Sequence, residues 1–401
     1  MVQTRTVLAL ALSSLLATSN ALTPRKRDTA LDETIPPAFD GQYITNPAPG
    51  VGNQAVEWWW FQALAPEVNG IVPSVEVIFY EGFAFTRAPA DPTYRFDVSG
   101  VFPNGTSFFI STPVAQKPSI VTAGEAVVGT WGGLGSFALS GHRQNLVITF
   151  SDINNGLTGT IAFQNGGTAA HGPCQETGVP PYFTPLASGQ TLNANEAILY
   201  EQTGWAITMP RAATVVDITV DGSALYLDNA IGYHDHNWAP QAINQFAYTW
   251  LTGQGSCGPF DLTYLEVQAL GSPRAKDILK GYVAYNGRVL QNQCSLFGEG
   301  RATDTISVEL TGQTTDPVTN QQIPTGLILD YTLGNGTHYK FTLQNSVQNP
   351  SQIPYHRWRL SGSGGQVGGP QYSCLLIGDW LNPGLATYTE GQSIFTEQSL
   401  S

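Results

Sequence analysis

Short stretches in which apolar and polar residues alternate recur along this chain, and they constrain its fold more than any other feature. Tyr94-Arg95-Phe96-Asp97-Val98-Ser99 alternates without a break, and Val75, Val77 and Phe79 interleave with Glu76 and Ile78 in the same way. The segments 215–220, 246–250 and 326–331 carry the same signal. A period of two places successive side chains on opposite faces of a sheet, whereas a helix needs a recurrence near 3.6, which is almost absent here. Asn-Gly and Asp-Gly pairs bound the alternating stretches, and these are the dipeptides of tight hairpin turns. The 43 glycines, 26 prolines and low charged fraction (12%) fit short strands joined by turns. The expected fold class is all-β, built from antiparallel barrels or sandwiches.

A chain of 401 residues exceeds what one such barrel uses. The clearest change in composition, 165–191, holds Gly166-Gly167, Pro173, Pro180-Pro181, Pro185 and Gly189, as a lid or interdomain crossing does. Two β domains are expected, over 28–222 and 223–401. Ahead of them, Arg5, the apolar run from Val7 to Leu12 and the small residues ending at Ala21 read as a secretory signal peptide over 1–21. Arg25-Lys26-Arg27 closes a short dibasic propeptide over 22–27. The expected location is the secretory pathway and the exterior.

Secretion bears on the rest of the reading. Cys174, Cys257, Cys294 and Cys374 pair in three possible ways, and an oxidising compartment favours disulfides over a thiol or zinc site. The pairing favoured is Cys257–Cys294 with Cys174–Cys374. Asn104-Gly105-Thr106 and Asn335-Gly336-Thr337 are glycosylation sequons in turn-like contexts. The net charge of −13, with no basic cluster outside the leader, excludes a grip on nucleic acid or anionic lipid, and no segment has the apolar length expected of a stable membrane insertion. An apolar small molecule is the expected partner.

The densest chemistry is Tyr233-His234-Asp235-His236-Asn237-Trp238. Read as a strand, it sends His234, His236 and Trp238 to one face and Tyr233, Asp235 and Asn237 to the other. The first face carries two titratable imidazoles beside an aromatic wall; the second is a hydrogen-bonding set that holds the strand in place. Burying such a cluster requires partners for every polar group, which points to a site. His142, His171, His338 and His356 are scattered without ligand spacing, so no metal and no cofactor is expected. A second cluster, Glu57-Trp58-Trp59-Trp60-Phe61, turns Trp58 and Trp60 to one side and Trp59 to the other. Such a strand suits a position between a barrel interior and an aromatic pocket for a flat ligand. Late in the chain, Tyr355-His356-Arg357-Trp358-Arg359 and Gly378-Asp379-Trp380 form a third group, from which Arg357, Arg359 or Trp380 orients a polar substrate group.

Glu57-Trp58-Trp59-Trp60 together with Tyr233-His234-Asp235-His236-Asn237-Trp238 resembles the carotenoid 1,2-hydratase (hydroxyneurosporene synthase) family, whose superfamily includes fungal lipocalin-like Diels–Alderases. Trp60 stands where Tyr is usual and Ala239 where Gly usually follows. The resemblance implies two lipocalin-like domains with an apolar pocket at or near their interface. It also implies catalytic parts for His236, with His234 beside it, and for Tyr264 and Glu266, Glu standing in place of the usual Asp. Trp58, Trp60, Tyr233, Trp238, Arg359 and Trp380 then bind substrate.

The activity expected is a cofactor-independent pericyclase of fungal secondary metabolism. In its finer form it catalyses a hetero-Diels–Alder reaction between a terpene alkene such as humulene and a tropolone-type o-quinone methide formed by dehydration. The alternatives are a hydratase or lyase acting on an isoprenoid double bond, and a carrier that uses the same pocket without catalysis.

Overall fold

The computed structural model describes residues 40–42, 55–82, 93–166, 170–172, 204–239, 243, 247–269, 278–296, 302–352, 355–381, 386–387 and 396–397. The leader, the dibasic triplet and most of 165–191 lie outside them.

The first sheet has eleven strands: β1 (Val56–Leu64), β2 (Ser74–Glu81), β3 (Tyr94–Val101), β4 (Ser107–Val114), β5 (Ser119–Ala123), β6 (Ala126–Trp131), β7 (Gly135–Leu139), β8 (Leu146–Asp152), β9 (Leu157–Gln164), β10 (Gly204–Val220) and β11 (Ser223–Ala239). Its spatial order is β4-β3-β2-β1-β11-β10-β9-β8-β7-β6-β5, antiparallel at each pairing, and the sheet curls on itself. The second half contains β12 (Ala247–Cys257), β13 (Phe260–Ala269), β14 (Ile278–Tyr285), β15 (Arg288–Leu296), β16 (Thr305–Thr311), β17 (Thr314–Thr315), β18 (Gln322–Ile323), β19 (Gly326–Thr332), β20 (His338–Gln352), β21 (Tyr355–Gln366) and β22 (Tyr372–Leu381). Nine of these form a nearly closed barrel in the order β15-β14-β13-β12-β22-β21-β20-β19-β16; β17 pairs with β18, and further on β23 (Ala386–Thr387) pairs with β24 (Thr396–Glu397). The chain is all-β with two lipocalin-like units, and the alternating segments lie in strands, the one at 246–250 from Ala247 onward.

The boundary expected at 222/223 is corrected. Asp221 and Gly222, with φ of 47° and 78°, form the tight turn between β10 and β11, and both strands belong to the first sheet. An Asp-Gly pair with two positive φ angles joins neighbouring antiparallel strands and so marks the inside of a domain. The second unit begins at β12, beyond Ala239.

Strand order reveals a duplication that the sequence does not display. The run β4-β3-β2-β1-β11-β10-β9-β8 in the first sheet corresponds to β15-β14-β13-β12-β22-β21-β20-β19 in the second. Registers align as well: Val56 opposes Ala239 where Trp250 opposes Leu381, and Trp58 opposes Asn237 where Thr252 opposes Asp379. Trp238 and Trp380 are therefore equivalent, as are Asn237 and Asp379.

Alternation then builds three cores from two sheets. One set of side chains fills the first unit (Trp59, Phe61, Phe79, Trp131, Phe137), and a second fills the other barrel (Tyr264, Tyr331, Phe341, Trp358, Trp380). The residues between them in sequence point outward and form a third cluster where the units meet, among them Trp58, Trp60, Trp205, Leu265 and Leu381. Polar clamps lock this junction. Arg359 pairs with Glu76 with both side chains fully buried, Gln254 Nε2 donates to Gln62 Oε1 at 3.0 Å, and Asn349 Nδ2 donates to Gly100 O at 2.7 Å.

Cys257 and Cys374 are cross-strand partners in β12 and β22 and form a disulfide. This overturns the expected Cys257–Cys294 and Cys174–Cys374 pairs: register brings Cys374 opposite Cys257, and one sulfur bonds only once. Cys294 is disulfide-bonded too, and Cys174 lies outside the described residues.

Candidate active site

A cavity of about 310 Å³ lies where the two units meet. That is within the range of small-molecule sites. Its apolar lining includes the indoles Trp58, Trp60, Trp205 and Trp250 with Ile78 and Leu265. Its polar lining includes Arg95 with Asp97, Arg357 with Asp379, and Asp235 with Asn237. The same alternation that buries Trp59 in the first unit turns Trp58 and Trp60 into the cavity.

The two faces of 233–238 are placed the other way round from the expectation. His234 and His236 point away from the cavity into the first unit, and both are fully buried. The His234 ring stacks on Phe61, centroids 4.0 Å apart; its Nδ1–H donates to Trp60 O at 2.7 Å and its Nε2 pairs with Asp40 Oδ2 at 2.9 Å. His236 stacks on Trp59 at 4.6 Å, and its Nε2 pairs with Glu57 Oε1 at 2.8 Å. Trp238 lies beside His236 on that face. Each imidazole thus has its own carboxylate and its own aromatic platform inside a packed core.

The other face forms the cavity wall. Asp235 Oδ2 accepts from Tyr233 Oη–H at 2.7 Å and from Trp205 Nε1–H at 2.8 Å, and Oδ1 accepts from Asn237 Nδ2 at 2.7 Å. Burial raises the Asp235 carboxyl to about 6, while these hydrogen bonds and the nearby His234 oppose the rise. Tyr233 stands behind Asp235 as its donor, at the margin of the cavity rather than in it.

The remaining expected residues divide in the same way. Tyr264 and Glu266 project into the second barrel, where the Tyr264 ring packs against Gly253; a Cβ there would come within 2.5 Å of it. Trp380 is buried in the same core and donates to Thr249 Oγ1 at 3.3 Å. Arg359 sits one layer behind the cavity, bonded to Glu76, to Asn349 O and to Ser74 Oγ, the last at 2.8 Å. Arg357, two residues away on β21, lines the cavity in its place. Its Nε donates to Asp379 Oδ1 at 2.8 Å, Nη1 to Ser99 Oγ at 3.1 Å and Nη2 to Tyr355 Oη at 3.0 Å. The sequons sit at exposed hairpin turns, Asn104 between β3 and β4 and Asn335 between β19 and β20.

Arg95, Asp97, Trp205 and Trp250 also line the cavity. Alternation in 94–99 marks Arg95 as facing opposite Phe96, yet only the docking of the second unit makes that outer face a wall.

No protein-family model matches the chain. It is 27% identical over 340 residues to the quinolone epoxide rearrangement protein penF of Penicillium thymicola, covering 82% of this chain and 86% of that one. Against asqO of Emericella nidulans, another quinolone epoxide rearrangement protein, identity is 26% over 341 residues, covering 82% and 84%. The crystal structure of CghA with Sch210972 superposes with a TM-score of 0.62 at 16% identity, covering 89% of this chain and 97% of CghA. The likeness to the CghA structure shows a shared fold, and the sequence likeness to the two quinolone epoxide rearrangement proteins runs over most of the chain.

Proposed function

We propose that the chain is a cofactor-independent enzyme whose interdomain cavity carries a small apolar substrate through a pericyclic step, a Diels–Alder or hetero-Diels–Alder cycloaddition. The observation that carries this reading is the cavity's composition: four indoles share it with a guanidinium fixed at three nitrogens. A cycloaddition needs no covalent bond to the enzyme. It needs diene and dienophile held in a near-attack pose, and fixed donors against the oxygen of the electron-poor partner. Flat aromatic walls serve the first need, and the edge of Arg357 serves the second.

In the finer form of the proposal, a terpene alkene such as humulene meets a tropolone-type o-quinone methide made in place from a hydroxymethyl precursor. The C–O bond of the hydroxymethyl group breaks and its oxygen, once protonated, leaves as water. The ring enol releases its proton and becomes the carbonyl, so the net change is loss of one water with no oxidant. Cycloaddition then forms one C–C and one C–O bond.

A second reading, an isomerase or hydratase, draws on Asp235. A carboxyl raised to about 6 and facing the cavity is a competent proton donor to an epoxide oxygen or an alkene. The relatives' names refer to an epoxide rearrangement.

Turnover of the purified full chain with humulene and a hydroxymethyl tropolone, read by mass, tests these readings. A product at the summed mass less water, absent with heat-killed protein, supports the cycloaddition. An alkene that gains the mass of water, or an isomer of unchanged mass, moves the assignment to the second reading. Unchanged partners that quench tryptophan fluorescence leave a carrier.

A further inference from the structure

The duplication exposes one asymmetry. Trp58 pairs with Tyr80 and Tyr80 with Arg95 in the first unit, as Thr252 pairs with Leu265 and Leu265 with Lys280 in the second. Arg95 and Lys280 are therefore equivalent. Arg95 has a carboxylate two residues further on, Asp97 Oδ2 at 3.2 Å; the corresponding residue after Lys280 is Tyr282.

Lys280 is fully buried, and its Nζ has no hydrogen-bond partner among the described residues. It rests on the Trp205 ring, 3.7 Å from the centroid, and the Nε1–H of that indole donates to Asp235 Oδ2. Trp205 thus lies between an amine without a carboxylate and a cavity carboxylate without an arginine, since Asp97 and Asp379 each have one.

We propose that Asp235 is the group that passes protons to and from the substrate, and that Lys280 is a positioning residue that sets its charge through Trp205. This rests on reading the cavity as the active site. In the dehydration, the Asp235 acid protonates the hydroxymethyl oxygen as the C–O bond breaks, and its carboxylate takes the enol proton, which restores the acid as water leaves. Burial lowers Lys280 to about 7 while the charge of Asp235 raises it. By reciprocity the ammonium favours the ionised carboxylate. Among the described residues, the other titratable or charged groups around Asp235 are Tyr233 and His234 on its own strand, Tyr282 on β14, and His171, which bridges Ile207 opposite Asp235 and stacks on Tyr282. Arg95, Asp97, Arg357 and Asp379 share the cavity with it.

The test is the titration of the Asp235 carboxyl by 13C NMR in the full chain, the signal being assigned by its loss in Asp235→Asn. Lys280→Met, of similar volume, is expected to raise the midpoint by about half a pH unit or more. The limb of the kcat/KM profile governed by Asp235 should move the same way. Trp205→Phe keeps a ring under Lys280 but removes the indole donor, and it also raises the midpoint. An unchanged midpoint in both variants overturns the coupling, and undiminished turnover in Asp235→Asn overturns the proton-transfer role. A shifted midpoint in a protein that joins no substrates leaves the coupling standing and removes only the cycloaddition reading.

Discussion

The guanidinium carbon of Arg357 lies 4.4 Å from the centroid of the Trp60 ring, so a cation from the second unit rests on an indole from the first. The contact spans the junction, and the same guanidinium holds Ser99 of β3 and Asp379 of β22. Charge, stacking and fork geometry all converge on one side chain.

Arg357→Lys keeps the charge and loses the fork. It is expected to lower kcat/KM about tenfold or more, since fixed donors at a reacting oxygen are worth that much or more, while the unfolding midpoint changes little. Arg357→Ala leaves Asp379 buried without its cation and is expected to cost about 3–5 kcal/mol. Steady-state kinetics and denaturant unfolding of the two variants separate these effects; equal destabilisation by both would remove the catalytic part.

His236→Ala should act on folding. It deletes a ring stacked on Trp59 and leaves Glu57, itself fully buried, without the imidazole at 2.8 Å. A loss of about 2–4 kcal/mol is expected from the cavity and the lost imidazole–carboxylate hydrogen bond together. Asp235→Asn, on the other face of the strand, is expected to retain most stability and lose turnover. Thermal melts and assays of the two variants side by side check this division, which fails if His236→Ala melts like the parent.

Glu81 makes stability depend on pH. Burial and the charge of Glu57 raise its carboxyl to about 8, with Lys117 and a hydrogen bond from Gln42 opposing. A carboxyl whose folded pKa lies above its unfolded value holds its proton more tightly in the native state. Its stabilising effect is complete below about pH 4 and is lost as pH rises through about 8. Glu81→Gln, which cannot ionise, is therefore expected to raise the melting temperature more at pH 8 than at pH 5. Melts of both proteins across that window decide it; an equal change at the two pH values would mean that Glu81 stays ionised throughout.

The Cys257–Cys374 bond closes a loop of 117 residues within the second unit. Replacing both cysteines by alanine is expected to cost about 2–4 kcal/mol by freeing the unfolded chain. Guanidinium unfolding of the double variant measures it, and an unchanged midpoint would show that the two strands need no covalent tie.

Much of the fold was legible because its signal is local. The period-two alternation at 94–99, 215–220 and 326–331 needs only neighbouring residues to specify a strand, and each segment is one. The Asp221-Gly222 pair was legible as a turn but not as a turn inside one sheet, because its partners are set by hydrogen bonds between strands distant in sequence. The pairing of Cys257 with Cys374 depends in the same way on β12 lying beside β22, 117 residues away.

At the site, local sequence alone dictates which side chains share a face: His234 with His236 and Trp238, Asp235 with Tyr233 and Asn237, Trp58 with Trp60. Pleat geometry requires that division wherever the strands are placed. Which face is core and which is cavity depends on the docking of the second unit. Both faces of β1, and of β11 over 232–237, are buried, one by the curl of the sheet and the other by the second unit, so hydrophobicity alone does not distinguish them. The docking of two units of matching strand order turned Asp235, Arg357 and four indoles toward one cavity, and it left the two imidazoles inside a packed core.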